Sequence, residues 1–132
     1  VSENKALCFP VSADSIPTSL GQEDHVSMGS ISSRKLNEVI NNVEKILAVE
    51  LVNAAQAFDF RKPMKSGPIL DECHQLVRQH IDHADEDRVF ANDIQIAQKL
   101  IQSHSLSKTA DEIATTLNID LNGDYDELFR VS

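Results

Sequence analysis

Residues 28–58 read MGSISSRKLNEVINNVEKILAVELVNAAQAF. Leu36, Val39, Ile40, Val43, Ile46, Leu47, Leu51, Ala54 and Phe58 recur at the i, i+3, i+4, i+7 spacing of one helix face, which predicts a single helix over 28–58. In its first half, Glu38, Asn41, Asn42 and Lys45 occupy the opposite side. In its second half, Val49, Val52, Ala55 and Ala57 spread the apolar surface almost around the helix, and such a helix is expected to be buried on most sides. Glu50, Asn53 and Gln56 remain as a narrow polar stripe, predicted to hydrogen-bond across a helix bundle rather than to bind a ligand. A helix of this length measures roughly 45 Å. A compact domain of this size has a radius of gyration of only about 14 Å. The helix is therefore expected to overhang its own domain and to need other protein along its flanks.

Working outward toward the C-terminus, Arg61-Lys62-Pro63 closes this helix with positive charge and a breaker, and Lys65-Ser66-Gly67-Pro68 reads as a turn. Shorter helices are predicted over 69–82, 92–104 and 109–117, with Asn92 as the cap of the second and Ser107 or Thr109 opening the third. The remainder, 118–132, is an acidic tail. No segment alternates cleanly, so no sheet is expected. The fold class is all-α, a long central helix followed by shorter ones.

Toward the N-terminus, 14–29 reads DSIPTSLGQEDHVSMG. Ile16 is held extended by Pro17, and Ser19 with Gln22 forms a capping-box pattern. Glu23 and Asp24 would then lie where a helix dipole favours carboxylates. By spacing alone this is an ordinary capped helix start. Residues 1–10 show no periodicity.

The chain has 132 residues, enough for one domain or a piece of one. A net charge of −9, with 12 basic residues scattered among 21 acidic ones, argues against nucleic acid and against an anionic membrane surface. The most apolar run, 46–58, is interrupted by Glu50, Asn53 and Gln56, which excludes a membrane span. Cys8 and Cys73 have no metal-ligand spacing and read as free thiols. No signal peptide is visible, and a cytoplasmic location is expected.

The run Asp14-Ser15-Ile16-Pro17-Thr18-Ser19, followed by Gln22-Glu23-Asp24-His25-Val26-Ser27-Met28-Gly29, closely resembles the aromatic amino-acid ammonia-lyases, within them the branch acting on histidine. Asp59-Phe60-Arg61-Lys62 agrees with the same family. The resemblance covers about 10–106 and implies that these residues are the C-terminal portion of a longer helical-bundle enzyme. It implies elimination of ammonia from histidine to give urocanate. It also implies a homotetramer centred on long helices, with active sites shared between subunits. The electrophile implied is a methylidene-imidazolone formed from an internal Ala-Ser-Gly, which does not occur in these residues. The tyrosine assigned to proton abstraction would likewise lie elsewhere, so the chain by itself is not expected to be a catalyst.

What the resemblance carries over is a carboxylate. Histidine-using members have Gln-Glu-Asp-His at this turn, matched by Gln22, Glu23, Asp24 and His25, whereas those using phenylalanine or tyrosine usually have Asn-Gln-Asp. Glu23 is thus the implied catalytic and substrate-binding residue, with Gln22 a second substrate contact; Asp24 and His25 hold the turn. A carboxylate there could hold the imidazole or ammonium of the substrate, or assist proton transfer. The alternatives are a phenylalanine or tyrosine lyase or an aminomutase of the same family, against which Glu23 speaks, and a non-catalytic helical interaction module.

Two other patterns carry less. His80 and His83, with His74, Asp82 and Asp85 nearby, could share a metal, but HADEDR reads better as a solvated helix end, and no metal is expected. Asp120, Asn122, Asp124 and Asp126 suggest a calcium loop, yet Tyr125 replaces its glycine and Val131 its closing glutamate.

Overall fold

The computed structural model describes residues 1–13, 16, 20, 22 and 27–121. Asp14, Ser15, Pro17, Thr18, Ser19, Gly21, Glu23, Asp24, His25, Val26 and the tail from Asn122 lie outside the described residues. Those described form five α-helices and no strand: α1 (Ser2–Leu7), α2 (Gly29–Asp59), α3 (Pro68–Arg78), α4 (Ala91–Gln102) and α5 (Ser105–Leu117), with one 3-10 turn over Val11–Ala13. The chain divides into two compact units, Val1–Leu47 and Ala48–Ser132, and α2 contributes to both.

In the first unit, α1 lies along α2 through polar contacts. Lys35 and Asn42 are two helical turns apart and so share a face of α2. Lys35 Nζ donates to the Phe9 carbonyl at 2.7 Å, and Asn42 Nδ2 donates to Asn4 Oδ1 at 2.9 Å and Glu3 Oε2 at 3.0 Å. None of the described residues of this unit is fully buried. The helix 28–58 is observed as Gly29–Asp59, with the Met28 carbonyl accepting from the backbone of Ile31 and Ser32.

The second unit holds the core. Ala48 and Ala55, seven residues apart on α2, meet Val77, Ile81 and Ala97, with Leu51, Val52, Ile94, Ile96, Ile101 and Leu106 packed around them. The expected burial of α2 on most sides is not what these residues provide: Ala48 and Ala55 are its buried residues, while Val49 and Asn53 face outward.

Helix ends differ from the apolar spacing where side chains replace helical hydrogen bonds. The helix expected over 69–82 is observed as Pro68–Arg78, with Gly67 as N-cap and proline in its first turn, where its missing N–H is harmless. Ile81 continues the period of Val77, yet the chain has already left the helix. Arg78 Nη1 donates to the Ile81 carbonyl at 3.0 Å, and Gln56 takes both backbone groups of Ala84.

The next helix begins at Ala91 with Phe90 as N-cap, so Asn92 lies inside it and is not the cap. The last helix starts at Ser105, before Ser107 and Thr109, because His104 turns the chain in the left-handed region (φ 56°) and its carbonyl accepts from Lys108 N. Asn118, also left-handed, ends it, as asparagine does with little strain.

Candidate functional site

The turn expected to carry the site precedes α2. Gln22 sits exposed in a turn, and Leu20 has a φ of 57°. Ser27 Oγ accepts from Gly29 N at 3.4 Å, and Ser33 Oγ reaches back to the Gly29 carbonyl at 2.9 Å. Glu23 lies outside the described residues, so Gln22 is the residue of the expected pair with a place in the fold. The chain has no Ala-Ser-Gly, so its residues cannot form the methylidene-imidazolone themselves.

The best-built polar constellation lies instead at the C-terminal end of α2. The Asp59 side chain is 8% exposed and collects four neighbours. Lys62 Nζ reaches Oδ1 at 2.7 Å; Arg78 Nε donates to Oδ2 at 2.7 Å; His83 Nδ1 lies 3.0 Å from Oδ2. His74 Nε2 is 3.2 Å from Oδ1 but off the direction a hydrogen bond needs, so it makes a charge contact and no hydrogen bond.

Burial alone would push the Asp59 carboxyl up. The hydrogen bonds from Lys62 and His83 and the charges of Arg78 and His74 outweigh it and hold the group well below the usual carboxylate range. An ionised carboxylate only accepts, so His83 carries a proton on Nδ1. His83 Nε2, on the other side of the ring, lies 3.3 Å from Gln56 Nε2.

Aromatic rings close the cluster. Phe58 stacks on His74 with centroids 4.6 Å apart, and Phe60 meets His83 edge-on at 5.7 Å. Gln56 therefore does what the polar-stripe reading expects, bonding across the bundle, whereas Asn53 Nδ2 turns back to the Val49 carbonyl of its own helix. The histidines brought together are His74 and His83; His80 is exposed, with Nδ1 3.0 Å from the Leu76 carbonyl. Among the described residues no group of three possible ligands could hold a metal.

Sequence reasoning treated Asp59 only as part of a matching run. The signal that could have found the node is spacing. Gln56 and Asp59 are three apart on α2, and His74 and Arg78 four apart on α3, so each pair shares a face, and opposite charges meet when those faces do. The node is a structural tie: Arg78 and His83 use their polar atoms on protein partners.

The cysteines are free, Cys8 exposed and Cys73 partly buried. Burial pushes the Cys73 thiol up, and the Glu72 charge adds to it. Among the described residues no helix is long and apolar enough to cross a membrane.

An all-α chain with a 31-residue helix preceded in sequence by a Gln-Glu-Asp-His run narrows the class of protein considerably. The family model for aromatic amino acid lyases matches residues 1–79. The chain is 50% identical over 101 residues to the histidine ammonia-lyase of Natranaerobius thermophilus, covering 76% of this chain and 20% of that protein. It is 49% identical over 118 residues to that of Sorangium cellulosum, covering 89% and 23%. The crystal structure of histidine ammonia-lyase from Trypanosoma cruzi superposes with a TM-score of 0.80 at 45% identity, over 84% of this chain and 22% of that one. The chain belongs to the aromatic amino acid lyase family. It spans about a fifth of the length of these relatives.

Proposed function

We propose that this chain is the C-terminal region of a cytoplasmic histidine ammonia-lyase, which eliminates ammonia from L-histidine to give urocanate in histidine degradation. The observation that carries the reading is the Gln22-Glu23-Asp24-His25 run in a chain about half identical to proteins named histidine ammonia-lyase. In the elimination the Cα–N bond breaks, a proton leaves Cβ, and a Cα–Cβ double bond forms. The methylidene-imidazolone that activates the amino group comes from polypeptide outside these residues. Glu23 accepts a hydrogen bond from the imidazole or ammonium of the substrate, and Gln22 contacts the same substrate. Loss of a charged hydrogen bond of this kind costs on the order of 1.5–3 kcal/mol.

The same reading makes the protein a homotetramer. Leu36, Ile40, Val43 and Leu47 form an exposed stripe along α2, the surface that long helices of other subunits would cover.

The test is Glu23→Gln in the full-length enzyme, followed by urocanate absorbance. Histidine turnover should fall by roughly one to two decades with the melting temperature nearly unchanged. Unchanged kinetics would remove Glu23 from the site, and turnover of phenylalanine or tyrosine in place of histidine would move the protein to another branch of the family.

A further inference from the structure

A groove of about 430 Å³ runs beside the C-terminal half of α2 and plays no part in the reading above. Its floor is apolar, formed by Val52, Phe90 and Ile94, with Val49 and Phe60 at its edges. Its far wall is the segment between α3 and α4, which brings Glu86 and Asp87 to the opening.

The charged groups of this groove are the carboxylates of Glu86 and Asp87, which are acceptors. Gln56 spends both ends of its amide on Ala84, donating to the carbonyl at 2.8 Å and accepting from the N–H at 3.1 Å. Asn53 spends one Nδ2 N–H on the Val49 carbonyl, which leaves its Oδ1 and its second N–H. The nearest cation in sequence, Arg88, is committed to Asp93 at 2.9 Å and to the Asp82 carbonyl at 2.8 Å. Among the described residues no cation pairs with Glu86 or Asp87. An occupant that pairs with Glu86 and Asp87 must donate, and two carboxylates beside an apolar floor favour a cation on an apolar stem.

The wall is set in place before anything binds. Ala84 is clamped to Gln56, the Ile81 carbonyl is held by Arg78, and the Ile81 side chain is sealed in the core at 1% exposure. A fixed wall loses little conformational freedom on binding. Apolar surface also continues past the groove, since Phe60 is 75% and Val89 80% exposed. That extent favours a polypeptide over a small amine, and relatives about four times as long as this chain have polypeptide to supply.

We propose that this groove receives a basic amphipathic segment, a lysine or arginine flanked by aliphatic side chains, contributed by polypeptide of the same lyase outside these 132 residues. The proposal rests on the reading of the chain as part of a longer lyase.

The test uses the full-length protein with a photoreactive benzoylphenylalanine replacing Val49, a half-exposed position at the groove's edge, followed by digestion and sequencing of the captured peptide. The expected product is one peptide from outside this region with a lysine or arginine within a few residues of the cross-link. Adding E86Q and D87N should lower its yield by roughly fivefold, two exposed charge contacts being lost. Capture of a peptide without basic residues, no capture, or a yield indifferent to E86Q/D87N would overturn the proposal. Urocanate formation by the same preparation separates the two readings: an active enzyme with no basic peptide captured sinks the groove alone, and an inactive one with the peptide captured sinks the proposed reaction alone.

Discussion

The C-terminal half of α2 is richer in apolar residues than the N-terminal half, and the two live in different surroundings. In the N-terminal half Leu36 is 59%, Ile40 47% and Val43 42% exposed, while Ala48 and Ala55 in the C-terminal half are 0% and 6% exposed. The larger residues lie in the open and the smaller ones are sealed. Burial here follows the partners a segment meets, and Ala48 and Ala55 of the C-terminal half are covered by a cluster with Val77, Ile81 and Ala97. The N-terminal half meets α1 through Lys35 and Asn42, a polar contact that leaves the apolar stripe uncovered.

The contrast makes the largest stability losses fall at the C-terminal end of α2. Asp59→Ala removes the anion that Arg78, Lys62 and His83 share, leaving the mostly buried Arg78 guanidinium without its carboxylate, and should cost about 3–5 kcal/mol in chemical denaturation of the 132-residue chain. A loss no greater than that of an ordinary surface substitution would show that the node is not what ties α2 to α3. Ile81→Ala comes next, at about 2–4 kcal/mol, since it empties a sealed position where the chain turns.

Acid should reach the same place by another route. The Asp59 carboxyl is depressed in the folded state, so its stabilising effect is complete above the unfolded value near ~3.9 and is lost as pH falls below that toward the folded value. Denaturation midpoints measured downward from about pH 5 should drop more steeply for the native chain than for Asp59→Asn. Parallel curves would remove Asp59 from the acid response.

The smallest effect is expected in the other half. Leu36→Ser with Ile40→Ser should shift the stability of the 132-residue chain as a monomer by no more than about 0.5 kcal/mol each. In the assembled enzyme the same pair should weaken association, read by light scattering coupled to size exclusion. Equal losses in both would mean that the stripe is already covered within the chain.

Much of this was legible in the residues, and particular cases show the limit. The 3.6-residue period of 28–58 located α2 to within a residue at each end, because a 31-residue helix averages over local exceptions. The same period carried the reading of α3 past Arg78 to Ile81, since apolar spacing cannot register that Gln56 and Arg78 will satisfy the backbone of 81–84. Of the expected site, Gln22 is placed in a turn and Glu23 lies outside the described residues, so its role rests on the run itself.

By itself, the sequence determined the helical class, the long α2, the absence of strands among the described residues and the family, through a run of residues too specific to be a common cap. Each of these depends on neighbours along the chain, where period and motif act directly. Only the tertiary structure decided that Asp59 gathers Lys62, His74, Arg78 and His83, that Ala48 and Ala55 are the buried face of α2, and that Glu86 and Asp87 open onto an apolar groove. Those depend on charges and surfaces from separate helices meeting within a few ångströms, where Coulomb attraction and close packing fall off too steeply with distance for order along the chain to reveal them.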